Sequence, residues 1–344
     1  MKILLIRFSS FGDVTQCLSV PSAFAARYPN AEVHWVTRSD FAHLLEGHPH
    51  IHRVWAFDRK KGLSGLGLLI RELRKENFAL VYDAHNNLRS RLIAGGLQFP
   101  WDWRRLFSPP QVIRRSLKRW KRFLLFKFRI NLFEQPFAGQ RDLLEPLQQL
   151  GIPKLPPPAA PQLFLSRKDL DAAQTALGSF ANGEFWTCAA SAAHELKRWP
   201  VPHWQELILS RPQDRFVLLG GPDDTFYADI ASVAPDRVLN LAGKCSLTVS
   251  AAVIAKSKML VANDTGLLHV AEQLGVKAIA MMGPAPFGFP CRPRTKILEL
   301  DLSCRPCSKH GQGPCVNEKF HRCMVEITPR QVSDTMTAIS GTAP

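Results

Sequence analysis

Short runs of β-branched and apolar residues recur along this chain, and between most of them lies a stretch with helical spacing. Lys2 to Phe8 is the first run; it stops at Ser9-Ser10-Phe11-Gly12-Asp13, and Val14 to Arg27 then reads as a helix. Ala31 to Thr37, Val54 to Phe57 and Ala79 to Asp83 read as further strands, with helical patterns at 63–75 and 87–97 between them. Beyond residue 161 the alternation resumes. Strands are expected at Phe185 to Ala190, Arg215 to Leu219, Met259 to Ala262 and Ala278 to Met282, with helices starting at Pro202, Asp224 and Leu267. A helical crossover returns the chain to the same end of the sheet, so strands joined this way pair in parallel, and the alternation predicts an α/β, doubly wound fold.

The pattern is interrupted once. Ile152 to Pro161 holds five prolines in ten residues; proline lacks the N–H that a helix or a central strand needs, so this stretch reads as an extended interdomain linker. A chain of 344 residues then divides into halves of similar size, 1–155 and 156–328, with a terminal helix over 329–344. Two such halves would leave a cleft at the C-terminal ends of their strands, where open α/β sheets bind ligands. No G-x-G-x-x-G follows a strand: Gly62-Leu-Ser-Gly65-Leu-Gly67 has the wrong spacing, which argues against a nicotinamide or flavin site.

Composition bears on partners and compartment. With 46% hydrophobic and 21% charged residues the chain is of ordinary globular make-up. Its 44 Lys and Arg against 29 Asp and Glu leave a net charge of +15, which points to an anionic partner: nucleic acid, a membrane surface or a phosphorylated substrate. Arg7 interrupts the first apolar run before a secretory-signal core can form, and no stretch reaches 18 apolar residues, so a cytoplasmic protein is expected.

Three loops carry candidate chemistry. Asp13 stands where a Ser-Gly loop meets a helix start; free N–H groups there keep a carboxylate ionised, so it reads either as a helix cap or as a general base. Val261-Ala-Asn263-Asp264-Thr265-Gly266-Leu-Leu-His269 follows a strand and opens a helix, where the N–H groups of Thr265 and Gly266 suit a diphosphate and His269 lies one turn in; the alternative is a plain capped turn. Ser191-Ala-Ala-His-Glu-Leu-Lys197-Arg198-Trp199-Pro200 again joins strand to helix. Lys197 there reads as a cation for a leaving nucleotide or as a solvated side chain.

Taken together, Phe8-Ser-Ser-Phe-Gly-Asp13, Asp83-Ala-His-Asn-Asn-Leu-Arg-Ser90, Lys197-Arg-Trp-Pro200, Leu219-Gly-Gly-Pro222, Leu241-Ala-Gly243, Asn263-Asp-Thr-Gly-Leu-Leu-His269 and Gly283-Pro284 resemble the ADP-heptose:lipopolysaccharide heptosyltransferases of glycosyltransferase family 9, in the family's order. The resemblance implies a GT-B fold, two facing Rossmann-like domains with acceptor on the first and nucleotide-sugar on the second. It implies metal-independent, inverting transfer of a heptose from ADP-heptose to a lipid-linked phosphorylated sugar acceptor. Asp13 matches the base. Ser191, Lys197, Thr265 and Gly266 match positions that hold the diphosphate, Asp264 the carboxylate on the heptose hydroxyls, and His269 lines the same site. Ser10, Gly12, Asn86 and Arg89 are the candidate acceptor-binding residues. The terminal helix, as in other GT-B enzymes, is expected to cross back to the first domain. Departures from the pattern are Ala189-Ala190, where many members have Pro-Gly, and the acidic residue after Gly-Gly-Pro, here Asp223 or Asp224. Another nucleotide-sugar, or a protein Ser acceptor, fits the same fold.

Two features remain. Residues 104–129 hold ten Lys and Arg and no acid, with Ile113, Leu117, Trp120, Leu124 and Phe128 at helical spacing. This reads as a basic amphipathic helix for an anionic membrane surface, or as a helix packed into the first domain. Cys304, Cys307, Cys315 and Cys323 form C-x2-C-x7-C-x7-C, a spacing that suits structural zinc or iron, with His310 and His321 as spare ligands; the alternative is free or disulfide-bonded cysteines. A metal-holding Cys loop also marks the family's autotransporter-directed relatives. No catalytic cofactor is expected. A nucleic-acid-binding protein using the basic helix and the Cys loop is the alternative from another class, and it leaves the Asp13 and Asp264 loops without a purpose.

Overall fold

The structure, a computed structural model, describes residues 1–99, 107–135 and 137–341. It divides into two units: Met1–Arg119 with Gln140–Phe164, and Trp120–Gly139 with Leu165–Pro344. The boundary expected at 155 is therefore not a single cut. The proline-rich stretch lies within the first unit, where Ile152 and Leu163 on either side of it are buried.

The first unit carries a five-stranded parallel sheet of β1 (Lys2–Ile6), β2 (Glu32–Arg38), β3 (Arg53–Phe57), β4 (Leu80–Asp83) and β5 (Gln111–Arg114), in the order β3-β2-β1-β4-β5. Ile3 to Ile6 of the central strand are wholly buried, as a continuous apolar run covered on both faces requires. The chain lays β2 and β3 to one side of β1 and β4 and β5 to the other. The loops after β1 and β4 therefore part at the switch in strand order, and they carry Ser10 to Asp13 and Asn86 to Arg89.

In the second unit, β6 (Trp186–Ala189), β7 (Phe216–Leu218), β8 (Val238–Asn240), β9 (Leu260–Asn263), β10 (Ala278–Met281) and β11 (Thr295–Leu298) pair in parallel in the order β11-β10-β9-β6-β7-β8. The switch falls between β6 and β9, so the loops that carry Ser191 to Lys197 and Asp264 to Gly266 emerge side by side.

Several local expectations are corrected. The helix read over Val14 to Arg27 is two, Phe11–Cys17 and Ser19–Arg27, because Pro21 lacks the N–H that would bond the Cys17 carbonyl. Ile113 lies on β5 and Leu117 before the helix Arg119–Phe128, so neither belongs to the amphipathic face drawn from spacing; residues 104–106 of that segment lie outside the described residues. On the helix itself Leu125 is buried and packs with Phe126, Phe133, Phe137 and Phe287, while Trp120, Phe123 and Phe128 are exposed. The terminal helix, Pro329–Ser340 in its described part, seats Val332 and Met336 in the second unit's core beside Trp199, Trp204 and Met324.

Candidate functional site

In the first unit, Ser10 precedes the helix Phe11–Cys17 and Asp13 is that helix's third residue. The Ser10 N–H and hydroxyl both donate to Asp13 Oδ2, at 3.1 and 2.8 Å. Ser10 is thus the cap and Asp13 reaches back to it, which corrects the reading of Asp13 as the cap itself. Arg7, buried and donating to the Ala84 carbonyl, places Nη2 2.7 Å from Asp13 Oδ1. Desolvation opposes ionisation of Asp13, but the Arg7 and Arg115 guanidiniums and the two Ser10 donors overcome it and hold the carboxyl well below the usual range. Arg115 is itself paired with Asp142 at 2.5 Å, and Lys118 lies 3.0 Å from the same carboxylate. Arg7 and Asp142 carried no sequence signal beyond being charged residues.

The loop after β4 is organised by buried Asp83, which accepts from the N–H of His85 at 3.1 Å, the N–H of Asn86 at 2.7 Å and the Ser90 hydroxyl at 2.9 Å. Asn86 donates to the Arg115 carbonyl at 2.7 Å and accepts from Arg91 at 2.9 Å, so its side chain holds the loop together. Arg89 instead lines a cavity of about 170 Å³ with Phe8, Ser9, Arg38, Phe57, Arg59, His85 and Asn87. Burial, with Arg7 nearby, pushes His85 down to about 4, which leaves the three arginines as the cavity's cations at neutral pH. Gly12 sits in ordinary helical geometry as the second residue of its helix.

The second unit brings Lys197 and Asp264 together: Nζ lies 2.5 Å from Oδ2, and their side chains are 14% and 8% exposed. Asn263 ties the two loops beneath them, donating to the Ala190 carbonyl at 2.6 Å and accepting the Trp199 N–H at 3.1 Å. Thr265 precedes the helix Gly266–Leu274 in extended geometry and makes no side-chain cap bond, so the helix's first N–H groups take no partner from it. His269 is buried in the first turn, its Nδ1 3.6 Å from Glu272 Oε2; Glu272 Oε1 accepts the N–H groups of Cys291 and Arg292.

Ser191 is differently engaged. Its N–H donates to the Tyr227 hydroxyl at 2.8 Å and its own hydroxyl to Asp224 at 2.7 Å, while Asp224 also accepts the Gly221 N–H. Tyr227 in turn donates to the Leu219 carbonyl. Only glycine fits at 220, where a β-carbon would stand 2.4 Å from the Tyr227 ring. The Gly-Gly-Pro turn, Asp224 and Tyr227 therefore form a bracket for the Ser191 loop, a role that the sequence left undecided for Asp224 and did not signal for Tyr227.

Cys304, Cys307 and Cys315 sit in one loop and Cys323 on the short helix Arg322–Val325 that follows it, all as free thiols. Cys304 accepts from the Asn317 amide at 3.3 Å and Cys315 from the His321 N–H at 3.2 Å. Burial pushes the Cys323 thiol up to about 11 and also raises Cys307, with the neighbouring sulfurs adding to both. Among the described residues, the set of three or more His, Cys, Asp or Glu ligand atoms mutually within 4.8 Å is Glu32, His34 and His52, and the cysteines are not in it. The sulfurs are near enough to raise one another's pKa, though no three of them lie mutually within 4.8 Å. His321 Nε2 donates to the Leu196 carbonyl at 2.8 Å, which leaves the ring's lone pair on Nδ1. The Glu32 set fits a metal poorly: Trp55 donates to His34 Nδ1, so the neutral ring keeps its proton on Nε2, the atom that faces Glu32.

Comparison with known proteins places this geometry. Lipopolysaccharide heptosyltransferase 2 of Escherichia coli (strain K12) is 26% identical, over 98% of both chains. A solved glycosyltransferase family 9 structure from Veillonella parvula DSM 2008 superposes with a TM-score of 0.78 at 19% identity, covering 98% of this chain and 97% of that one. The structure of E. coli ADP-heptose lps heptosyltransferase II superposes at 0.74 with 22% identity, covering 99% and 98%. These superpositions show the fold, two Rossmann-like parallel sheets of the GT-B kind. The profile of glycosyltransferase family 9 (heptosyltransferase) matches residues 67–319, most of the chain, and on that match this chain belongs to glycosyltransferase family 9.

Proposed function

We propose that the chain transfers a heptose from ADP-heptose to a sugar of the lipopolysaccharide core, with inversion at the anomeric carbon and without a catalytic metal. The observation that carries the reading is the buried Lys197–Asp264 pair beside the uncapped start of the helix Gly266–Leu274. An ammonium and a helix N-terminus together meet the needs of a diphosphate leaving group, whose negative charge grows as its bond to C1 breaks. Thr265 and Gly266 supply donors to it, and Asp264 accepts from heptose hydroxyls. Ser191 joins them by exchanging Asp224 for phosphate.

Asp13 takes the proton from the acceptor hydroxyl while that oxygen bonds to C1, and the C1–O bond to the diphosphate breaks with its electrons on the leaving oxygen. A carboxylate held so firmly ionised is a weak base. The transition state is oxocarbenium-like, and the acceptor oxygen turns strongly acidic as it bonds to C1, so a late transfer to a weak base is enough. Arg59 and Arg89 offer an anionic acceptor its counter-charges, with Arg38, which is paired with Asp40, beside them, and Ser10 follows Ser9 of the cavity lining.

Titration calorimetry with ADP-heptose, ADP-glucose, UDP-glucose and GDP-mannose tests the donor. Selective binding of ADP-heptose, lost in Lys197→Ala and in Asp264→Ala, is expected; equal affinity for all four would end the donor assignment.

The exposed Trp120, Phe123 and Phe128, flanked by Arg119, Lys121 and Lys127, suit the headgroup layer of an anionic membrane, where a lipid-linked acceptor resides. No helix among the described residues is long and apolar enough to cross one. Flotation with phosphatidylglycerol vesicles is expected to carry the protein, and to do so at least about tenfold less with Trp120→Ser/Phe123→Ser/Phe128→Ser; equal flotation of the two proteins counts against this surface.

A further inference from the structure

The cysteine loop makes no contribution to the reaction proposed above, yet it is built against the residue that holds the leaving group. Its base is fixed to the end of β10: the Cys307 N–H donates to the Pro284 carbonyl at 3.1 Å, and Arg305 donates to the Gly283 and Met282 carbonyls at 2.8 and 3.1 Å. From there the loop folds over the Lys197 stem. A β-carbon at Gly311 would lie 2.6 Å from Lys197 Cγ, 2.9 Å from Cδ and 3.3 Å from His194 Cβ, and Gly311 has φ +84°. This backbone is itself pinned, since the Gly311 N–H donates to the Ser308 hydroxyl, which donates to the Gln312 carbonyl.

A second contact reaches the same turn from the loop's other end. His321 is buried, and its Nε2 donates to the Leu196 carbonyl at 2.8 Å, next to Lys197 in the chain. A carbonyl only accepts, so the ring proton is on Nε2. The His321 N–H is at the same time bonded to Cys315 Sγ, which makes this residue the joint between thiols and lysine turn.

We propose that the Cys304–Cys323 loop is the positioning element for Lys197, acting through Gly311 on the side chain's stem and through His321 on its backbone; this rests on the reading that Lys197 holds the donor diphosphate. A lysine stem has four rotatable bonds, and an ammonium serves a developing charge only if it is already in place. Walls of backbone on one side and a bonded carbonyl beneath remove that freedom before the donor arrives. Gly311 and His321 touch neither donor nor acceptor in this scheme. They act on binding through Lys197 alone, so their effect must vanish when Lys197 is removed.

A double-mutant cycle on the full chain reads this directly, with ADP affinity measured by calorimetry and folding by the thermal transition. His321→Leu and Gly311→Ala are each expected to weaken ADP binding about tenfold and to leave the acceptor KM unchanged, and His321→Gln, which keeps a donor at the Nε2 position, to recover most of the loss. In a Lys197→Ala background the same two substitutions are expected to change ADP affinity less than about twofold. Undiminished losses in that background, or no loss in the parent, overturn the proposal. Should His321→Leu fail to fold, Gly311→Ala decides alone, since it adds a single methyl group. If Lys197→Ala leaves ADP affinity intact, the donor assignment is what fails; if it weakens ADP and the loop substitutions still add in full, the positioning role fails by itself.

Discussion

Asp13 and Asp264 both stand at the C-terminal edge of a parallel sheet, beside the switch in strand order, and both open a helix. Asp13 has two guanidiniums and two Ser10 donors around it and keeps 38% of its side chain open to solvent. Asp264 has one ammonium, and both partners are nearly closed off. Cationic neighbours fix the first carboxylate as an anion, and Asp142 in turn neutralises Arg115. A balanced buried pair suits exchange: in the proposed reaction a diphosphate drawn to Lys197 frees Asp264 for sugar hydroxyls. Neighbouring charge thus gives two similar loops different electrostatic settings.

The largest effect that could break this contrast is expected at Asp13. Asp13→Ala removes the proton acceptor and is expected to lower the transfer rate roughly 10²- to 10⁴-fold, with ADP affinity unchanged by calorimetry; turnover near the parent rate would remove Asp13 from catalysis. Next in size is the buried pair. Lys197→Ala strands Asp264 away from water and is expected to cost about 3–5 kcal/mol in urea unfolding, with Lys197→Ala/Asp264→Ala recovering most of it. Equal losses in the single and double substitutions would show that the pair is not coupled. A smaller loss, about 1–2 kcal/mol, is expected for Arg7→Gln, because Arg115 and Ser10 still serve Asp13.

The smallest effect concerns pH. The folded pKa of Asp13 is depressed, so its ionised form stabilises the fold above the unfolded value of about 4, and that contribution fades as pH falls through the folded value. Arg7→Gln raises the folded value. The acid limb of kcat should therefore move to higher pH by about one unit, and the stability gap between the two proteins should narrow below pH 4. An acid limb at the same pH in both would mean that Asp13 does not set it.

Much of the fold could be read in the chain because strands such as Lys2–Ile6 and Leu260–Asn263 are buried on both faces, and burial on both faces writes an unbroken apolar run. The edge strands β8 and β11 and the helix Leu247–Lys256 were missed: the strands are short, and the helix, buried along most of its length, lacks a polar stripe to set its period. The basic segment misled for a related reason. Spacing united Ile113, Leu117 and Trp120 on one face, but a strand end and a loop interrupt that face, and the helix turns Leu125 inward and Trp120 outward.

The candidate site divides in the same way. Sequence alone placed the candidate residues at strand-to-helix junctions, because strand, tight loop and helix start fix where N–H groups and short polar side chains must lie, and Asp13, Lys197, Asp264 and Thr265 stand at those junctions. Only the tertiary structure decided what each residue faces. Arg7, Asp142, Asn263, Tyr227 and His321 come from distant parts of the chain to set charge and hold loops. Spacing constrains residues on one element; bonds across the fold depend on where separate elements pack, and no local pattern records that.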